Sequence, residues 1–109
     1  MWFCTAPLTY KGQAAIRTDI ENLKSALEGV QAEDAFMPAV TPGTIEHWLW
    51  NEHYASDDDF LFAVADAMHE EYKAIVDGGF VLQIDDPRMA THYNRSPDAT
   101  VQECRDFIA

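Results

Sequence analysis

Eight residues, Phe80 to Pro87 (Phe-Val-Leu-Gln-Ile-Asp-Asp-Pro), constrain the fold of this chain more than any others. They follow a long helical pattern and two glycines, Gly78 and Gly79, and they stop at two carboxylates and a proline. A short β-branched and aromatic run in that setting reads as a buried parallel strand. Side chains alternate along a strand. Phe80, Leu82 and Ile84 therefore share one face, expected beneath helices, while Val81, Gln83 and Asp85 share the other. The second face grows more polar towards its C-terminal end, where α/β proteins bind their ligands. Asp85 is the first candidate functional residue, and Gln83 stands beside it on the same face. Adjacent strand residues diverge, so Asp86 cannot readily share a substrate with Asp85, and it is expected to turn or cap the following loop.

The rest of the chain supplies partners for that strand. Residues 2–9 form a strand candidate with Pro7 better suited to its end than its middle. Ile16, Ile20, Leu23 and Leu27 then recur at helical spacing, with Gly29 as a C-cap. Residues 35–41 form the next strand candidate. The stretch 42–56 is long for a strand-to-helix connection. Ile45, Trp48 and Leu49 suggest a helical turn or two, and Asn51-Glu52-His53-Tyr54 runs polar into the next helix. Its aromatic and polar content makes Trp48, Asn51, Glu52 and His53 further site candidates, against the plainer reading of an aromatic cover on the core. Ser56 and Asp59 resemble a capping box, and Asp57 to Asp59 suit the positive end of a helix better than a calcium loop. Leu61, Val64, Ala65, Met68, Tyr72, Ile75 and Val76 continue that helix. His69-Glu70-Glu71 lacks the second histidine of HExxH and reads as a solvated face. Residues 88–99 read as a loop. Thr100 and Glu103 form a second capping box, and Val101, Cys104 and Ile108 are expected on the buried side of a short final helix. The order is β-α-β-α-β-α, which implies α/β architecture with parallel strands in a single domain over 1–109.

Nineteen acidic residues against seven basic ones, a net charge of −12, argue against nucleic acid and anionic membranes as partners. No apolar run reaches the roughly 18–20 residues of a membrane span, and the first residues lack a signal-peptide pattern. Cys4 and Cys104 belong to no CxxC or HxC motif and read as free thiols in a reducing cytoplasm.

Leu82-Gln83-Ile84-Asp85-Asp86-Pro87 resembles the I/L-Q-I-D-E-P signature of the cobalamin-independent methionine synthase superfamily. The resemblance extends to Ala6-Pro7-Leu8-Thr9-Tyr10-Lys11-Gly12, Phe36-Met37-Pro38-Ala39-Val40 and Asn51-Glu52-His53-Tyr54. It also takes in Glu70-Glu71-Tyr72 and Gly78-Gly79-Phe80, and is nearest to shorter relatives that include epoxyalkane:coenzyme M transferase-like proteins. Asp86 replaces the family's Glu, and Ala6 stands where relatives often carry Gly. The resemblance implies that this chain supplies roughly the third, fourth and fifth βα units, an arc of a (β/α)8 barrel. It further implies transfer of an alkyl group to a thiol, homocysteine or coenzyme M, held as a thiolate on zinc. Within it, Asp85 binds the polar head of the thiol. The family's zinc ligands, a His-x-Cys motif and a distant Cys, have no counterpart here, so no metal is expected on this chain alone. From a different class comes a non-catalytic α/β module that self-associates through the exposed edges of its sheet.

Overall fold

In a computed structural model, residues 2–88, 90–91 and 96–108 are described, with Phe107 and Ile108 as backbone only. The elements run β1 (Trp2–Cys4), α1 (Gln13–Ala26), β2 (Phe36–Val40), α2 (Pro42–Trp48), β3 (Leu49–Asn51), α3 (Asp57–Asp77), β4 (Val81–Asp85) and α4 (Val101–Ile108). The class is α/β and the strands pair in parallel, as the alternating order implies.

Strand pairing differs from the expected single arc. β2 pairs with β4, while β1 pairs with β3, and among the described residues no ladder joins the two pairs. β3 was not expected. Its residues had the apolar spacing of a continued helix, but α2 stops at Trp48 and Leu49 turns extended, with φ −116° and ψ 143°. β1 is correspondingly shorter than 2–9. β3 offers it a three-residue edge, extended only by the Glu52 N–H donating to the Cys4 carbonyl at 3.0 Å. Residues 87–88 and 90–91 are helical rather than loop; the remainder of the expected 88–99 loop lies partly outside the described residues.

The β2–β4 pair is in register from Phe36 opposite Val81 to Val40 opposite Asp85. Val81 N–H donates to the Ala35 carbonyl at 3.0 Å, and Thr41 N–H donates to the Asp85 carbonyl at 3.1 Å, so the ladder continues beyond both strand limits. α3 makes the crossover between them. Ser56 caps it: the Oγ accepts the Asp59 N–H at 3.0 Å and its hydroxyl donates to the Asp59 carboxylate at 2.8 Å. Gly79 ends the helix-to-strand turn at φ 89°, a left-handed conformation that suits glycine.

The buried stripe of α3 is Phe60, Val64, Met68 and Ile75. Phe60 was missing from the expected stripe, and Val76, expected within it, is 56% exposed. Two apolar clusters result. Ile16, Met37, Ala39, Ile75 and Phe80 form one, between α1, α3 and the β2–β4 pair. Cys4, Phe60, Val64 and Met68 form the other, beneath β1 and α2. Tyr72 packs on both, and its hydroxyl donates to the Val40 carbonyl at 2.5 Å. Burial, and then the neighbouring Glu71, push its phenol above the ordinary tyrosine range.

Two further expectations need correction. Ile84, expected beneath the helices, is 49% exposed although its ladder partner Ala39 is buried in the first cluster, so at this level the cover lies over β2 and not over β4. Val101 is 64% exposed, so α4 buries Cys104 without it; the Ile108 side chain lies outside the described residues. The α4 capping box does form, with Glu103 accepting from the Thr100 N–H at 2.7 Å and the Thr100 hydroxyl at 2.8 Å. Those two bonds hold the Glu103 carboxyl below its usual range. Cys4 and Cys104 are both free and buried. Among the described residues no helix is long and apolar enough to cross a membrane.

Replacing Phe60 by Ala is expected to cost about 3–5 kcal/mol through the cavity left in the second cluster. Tyr72→Phe, which removes one hydroxyl, is expected to cost only about 1 kcal/mol. Urea unfolding of the two variants checks the ranking, and a larger loss for Tyr72→Phe would contradict it.

Candidate functional site

The β2–β4 pair has two unlike faces. Met37, Ala39 and Leu82 lie under the helices, whereas Phe36 and Val81, opposite one another in the ladder, are 58% and 53% exposed. Asp85 stands on the open face at the carboxyl end of β4, with Val40 across the ladder. Its carboxylate accepts a hydrogen bond from Gln83 Nε2 at 2.8 Å, and both side chains are exposed. The pleat therefore aligns an acceptor and the amide that orients it on one face, away from α1 and α3. Asp86 has a different role. Its carboxylate accepts the Arg88 N–H at 3.1 Å and closes the turn after the strand.

Arg88 was not singled out by the sequence. Its guanidinium donates to the Gly43 carbonyl at 3.0 Å and forms an ion pair with Glu46, the two side chains being 24% and 23% exposed. No sequence signal could have found this pair, because 42 residues separate its members and each sits in a stretch read as loop or short turn.

Trp48, Asn51, Glu52 and His53 gather around β3, on the other strand pair, and no described contact joins them to Asp85. Trp48 is 69% exposed and meets His47 edge-on, with ring centroids 5.4 Å apart. Asn51 is a structural hub. Its Nδ2 donates to the carbonyls of Tyr54 at 3.0 Å and Ser56 at 3.1 Å, and its Oδ1 accepts the N–H groups of His53 at 3.2 Å and Tyr54 at 2.8 Å. The side chain thus supplies the turn with partners that the backbone lacks. His53 is exposed and lies edge-on to Tyr54, with centroids 4.9 Å apart. Tyr54 in turn stacks on Phe60 at 5.8 Å, and its hydroxyl accepts the Leu8 N–H at 2.8 Å. Tyr54 therefore covers the core, whereas Trp48 and Trp50 stay exposed.

Glu70 and Glu71 are more than a solvated face. The Tyr10 hydroxyl donates to Glu71 at 2.7 Å, and Gln13 Nε2 donates to Glu70 at 3.0 Å. Burial first, then the bond to Glu71, drive the Tyr10 phenol well above its ordinary range. Gly12 makes that position possible, since a Cβ there would come within 2.5 Å of the Tyr10 hydroxyl oxygen. A groove of about 420 Å³ beside these residues is lined by α1 and α3, among them Ile16, Ile20 and Ala74. It lies on the helix side of the fold and includes no residue of β4.

Among the described residues no three His, Cys, Asp or Glu side chains gather closely enough to hold a metal ion. The Cys4 thiol is buried and donates to the Ala6 carbonyl at 3.3 Å.

Asn51→Ala is expected to destabilise the fold by about 1–3 kcal/mol, since it strips several backbone groups of the 51–56 turn of their partner. His53→Ala, at an exposed position, is expected to stay within about 0.5 kcal/mol of the parent. Thermal unfolding of both checks this, and equal losses would remove Asn51 from its structural role.

No protein-family model and no solved structure matches the chain. Curated relatives do. A methionine synthase from Sulfurisphaera tokodaii is 35% identical over 75 residues, which are 68% of this chain and 19% of that protein. One from Thermococcus kodakarensis is 30% identical over 74 residues, 67% of this chain and 22% of that protein. One from Saccharolobus solfataricus is 39% identical over 51 residues, 46% of this chain and 15% of that protein. The chain is thus similar to archaeal methionine synthases over up to two thirds of its length, and it spans about a fifth of theirs.

Proposed function

We propose that the chain forms part of the wall of a (β/α)8-barrel thiol alkyltransferase of the methionine synthase type, with Asp85 receiving the polar head of the thiol. The observation that supports this reading is Asp85 itself. It is the first carboxylate of the motif that resembles the family signature, and it stands on the uncovered face of β4 at the strand's carboxyl end. The names of the archaeal relatives agree with such a reaction. A carboxylate there offers a charge-assisted acceptor to a cationic head group. Gln83 restrains its rotation through the 2.8 Å bond. On this reading the thiol is bound and oriented here, and the zinc that the family uses is held by residues other than those described.

A second reading keeps the fold and drops the chemistry. Trp2, Phe3, Trp50, Phe36 and Val81 are all at least half exposed on strand pairs with open edges, a surface suited to self-association. Sizing of the purified chain addresses it: a discrete, stable oligomer favours the module, whereas a monomer removes it.

The alkyltransferase reading is tested in a chimaera in which this chain replaces the matching segment of the Sulfurisphaera tokodaii protein. Methyl transfer to homocysteine is expected to persist. Asp85→Asn is expected to raise KM for the thiol by about tenfold or more, with a smaller effect on kcat. A folded, active chimaera whose thiol KM ignores Asp85→Asn would overturn the assignment.

A further inference from the structure

The carboxyl ends of β2 and β4 are joined twice. One link is backbone: Thr41 N–H donates to the Asp85 carbonyl at 3.1 Å, the last rung of the ladder. The other is the Arg88 side chain, which reaches from just beyond β4 to the first turns of α2, just beyond β2. There it meets the Gly43 carbonyl at 3.0 Å and the Glu46 carboxylate. Both links converge on the start of α2, where Thr41 is the N-cap and its side chain accepts the Thr44 N–H at 3.2 Å. Asp85 is itself the acceptor in the first link, three residues before Arg88. Beyond Asp85 the chain turns away, with the Asp86 carboxylate accepting the Arg88 N–H and Pro87 carrying no N–H to donate. A half-buried ion pair that also bonds a carbonyl is worth more than an exposed one, since its partners are partly shielded from water.

We propose that Arg88 is a positioning residue that, through Glu46 and the Gly43 carbonyl, clamps the paired strand ends and so sets the direction of the Asp85 carboxylate. Its importance for thiol binding rests on the function proposed above; the clamp itself does not.

Nuclear magnetic resonance on the full 109-residue chain separates the two. In Arg88→Met and in the milder Glu46→Gln, amide exchange at Thr41 is expected to quicken about tenfold or more, while Val64 and Ile75 on α3 keep their protection. The Gln83 side-chain amide signal, which reports its bond to Asp85, is expected to shift in both variants. The charge exchange Arg88→Glu with Glu46→Arg is expected to restore the Thr41 and Gln83 signals in part. Unchanged Thr41 exchange and Gln83 signal would overturn the clamp. So would a uniform loss of protection that includes α3, because Arg88 would then be a general stabiliser. In the chimaera, Arg88→Met is expected to raise thiol KM only where Asp85→Asn does. A failure of Asp85→Asn with the exchange results intact would overturn the thiol role and leave the clamp standing.

Discussion

The parallel pairing of β2 with β4 is the constraint on which the rest of the structure depends. Parallel neighbours cannot be joined by a tight turn, so the chain must cross over, and α3 is that crossover. Once α3 is laid across the pair, its buried stripe decides where both apolar clusters sit. Tyr72 lies where the clusters meet. Its bond to the Val40 carbonyl ties the last third of α3 to the end of β2, one residue before the N-cap of α2.

The same pairing divides the sheet into a covered face and an open one. Helices α1 and α3 take up Met37, Ala39 and Leu82, and Phe36, Val81, Gln83 and Asp85 are left facing away. The position of Asp85 is thus a consequence of the pleat and of which side the helices occupy. What sharpens that position is local chemistry at the strand ends: the Gln83 amide on the carboxylate, the Asp86 turn and the Arg88 reach to α2. Glu71 and Asp59 serve the fold instead, the first by accepting from Tyr10 and the second at the start of α3.

Much of this was legible in the residues. The 3.6-residue period of α3, its Ser56 cap and its Gly78-Gly79 stop located the crossover, and the alternation within 80–85 separated Asp85 from Asp86. The parts that were not legible share a cause. β3 was hidden because Leu49 continues the helical spacing of Ile45 and Trp48, and its partner strand, the edge of β1, lies over forty residues away. Ile84 was expected beneath the helices with Leu82 but is 49% exposed, because alternation does not report which strand of a pair the helices cover. Arg88 with Glu46 and Asn51 with its turn are polar contacts, and no spacing rule announces them.

Because side chains alternate, a slip of one residue between β2 and β4 would carry Asp85 to the helix-covered face and out of any site. Cross-strand nuclear Overhauser contacts in the 109-residue chain therefore test the central claim most directly. The structure predicts contacts of parallel register pairing Phe36 with Val81 and Val40 with Asp85, together with side-chain contacts from Leu82, and none from Asp85, to the cluster of Ile16, Met37, Ala39, Ile75 and Phe80. A register displaced by one residue, or contacts from Asp85 to α3, would contradict it.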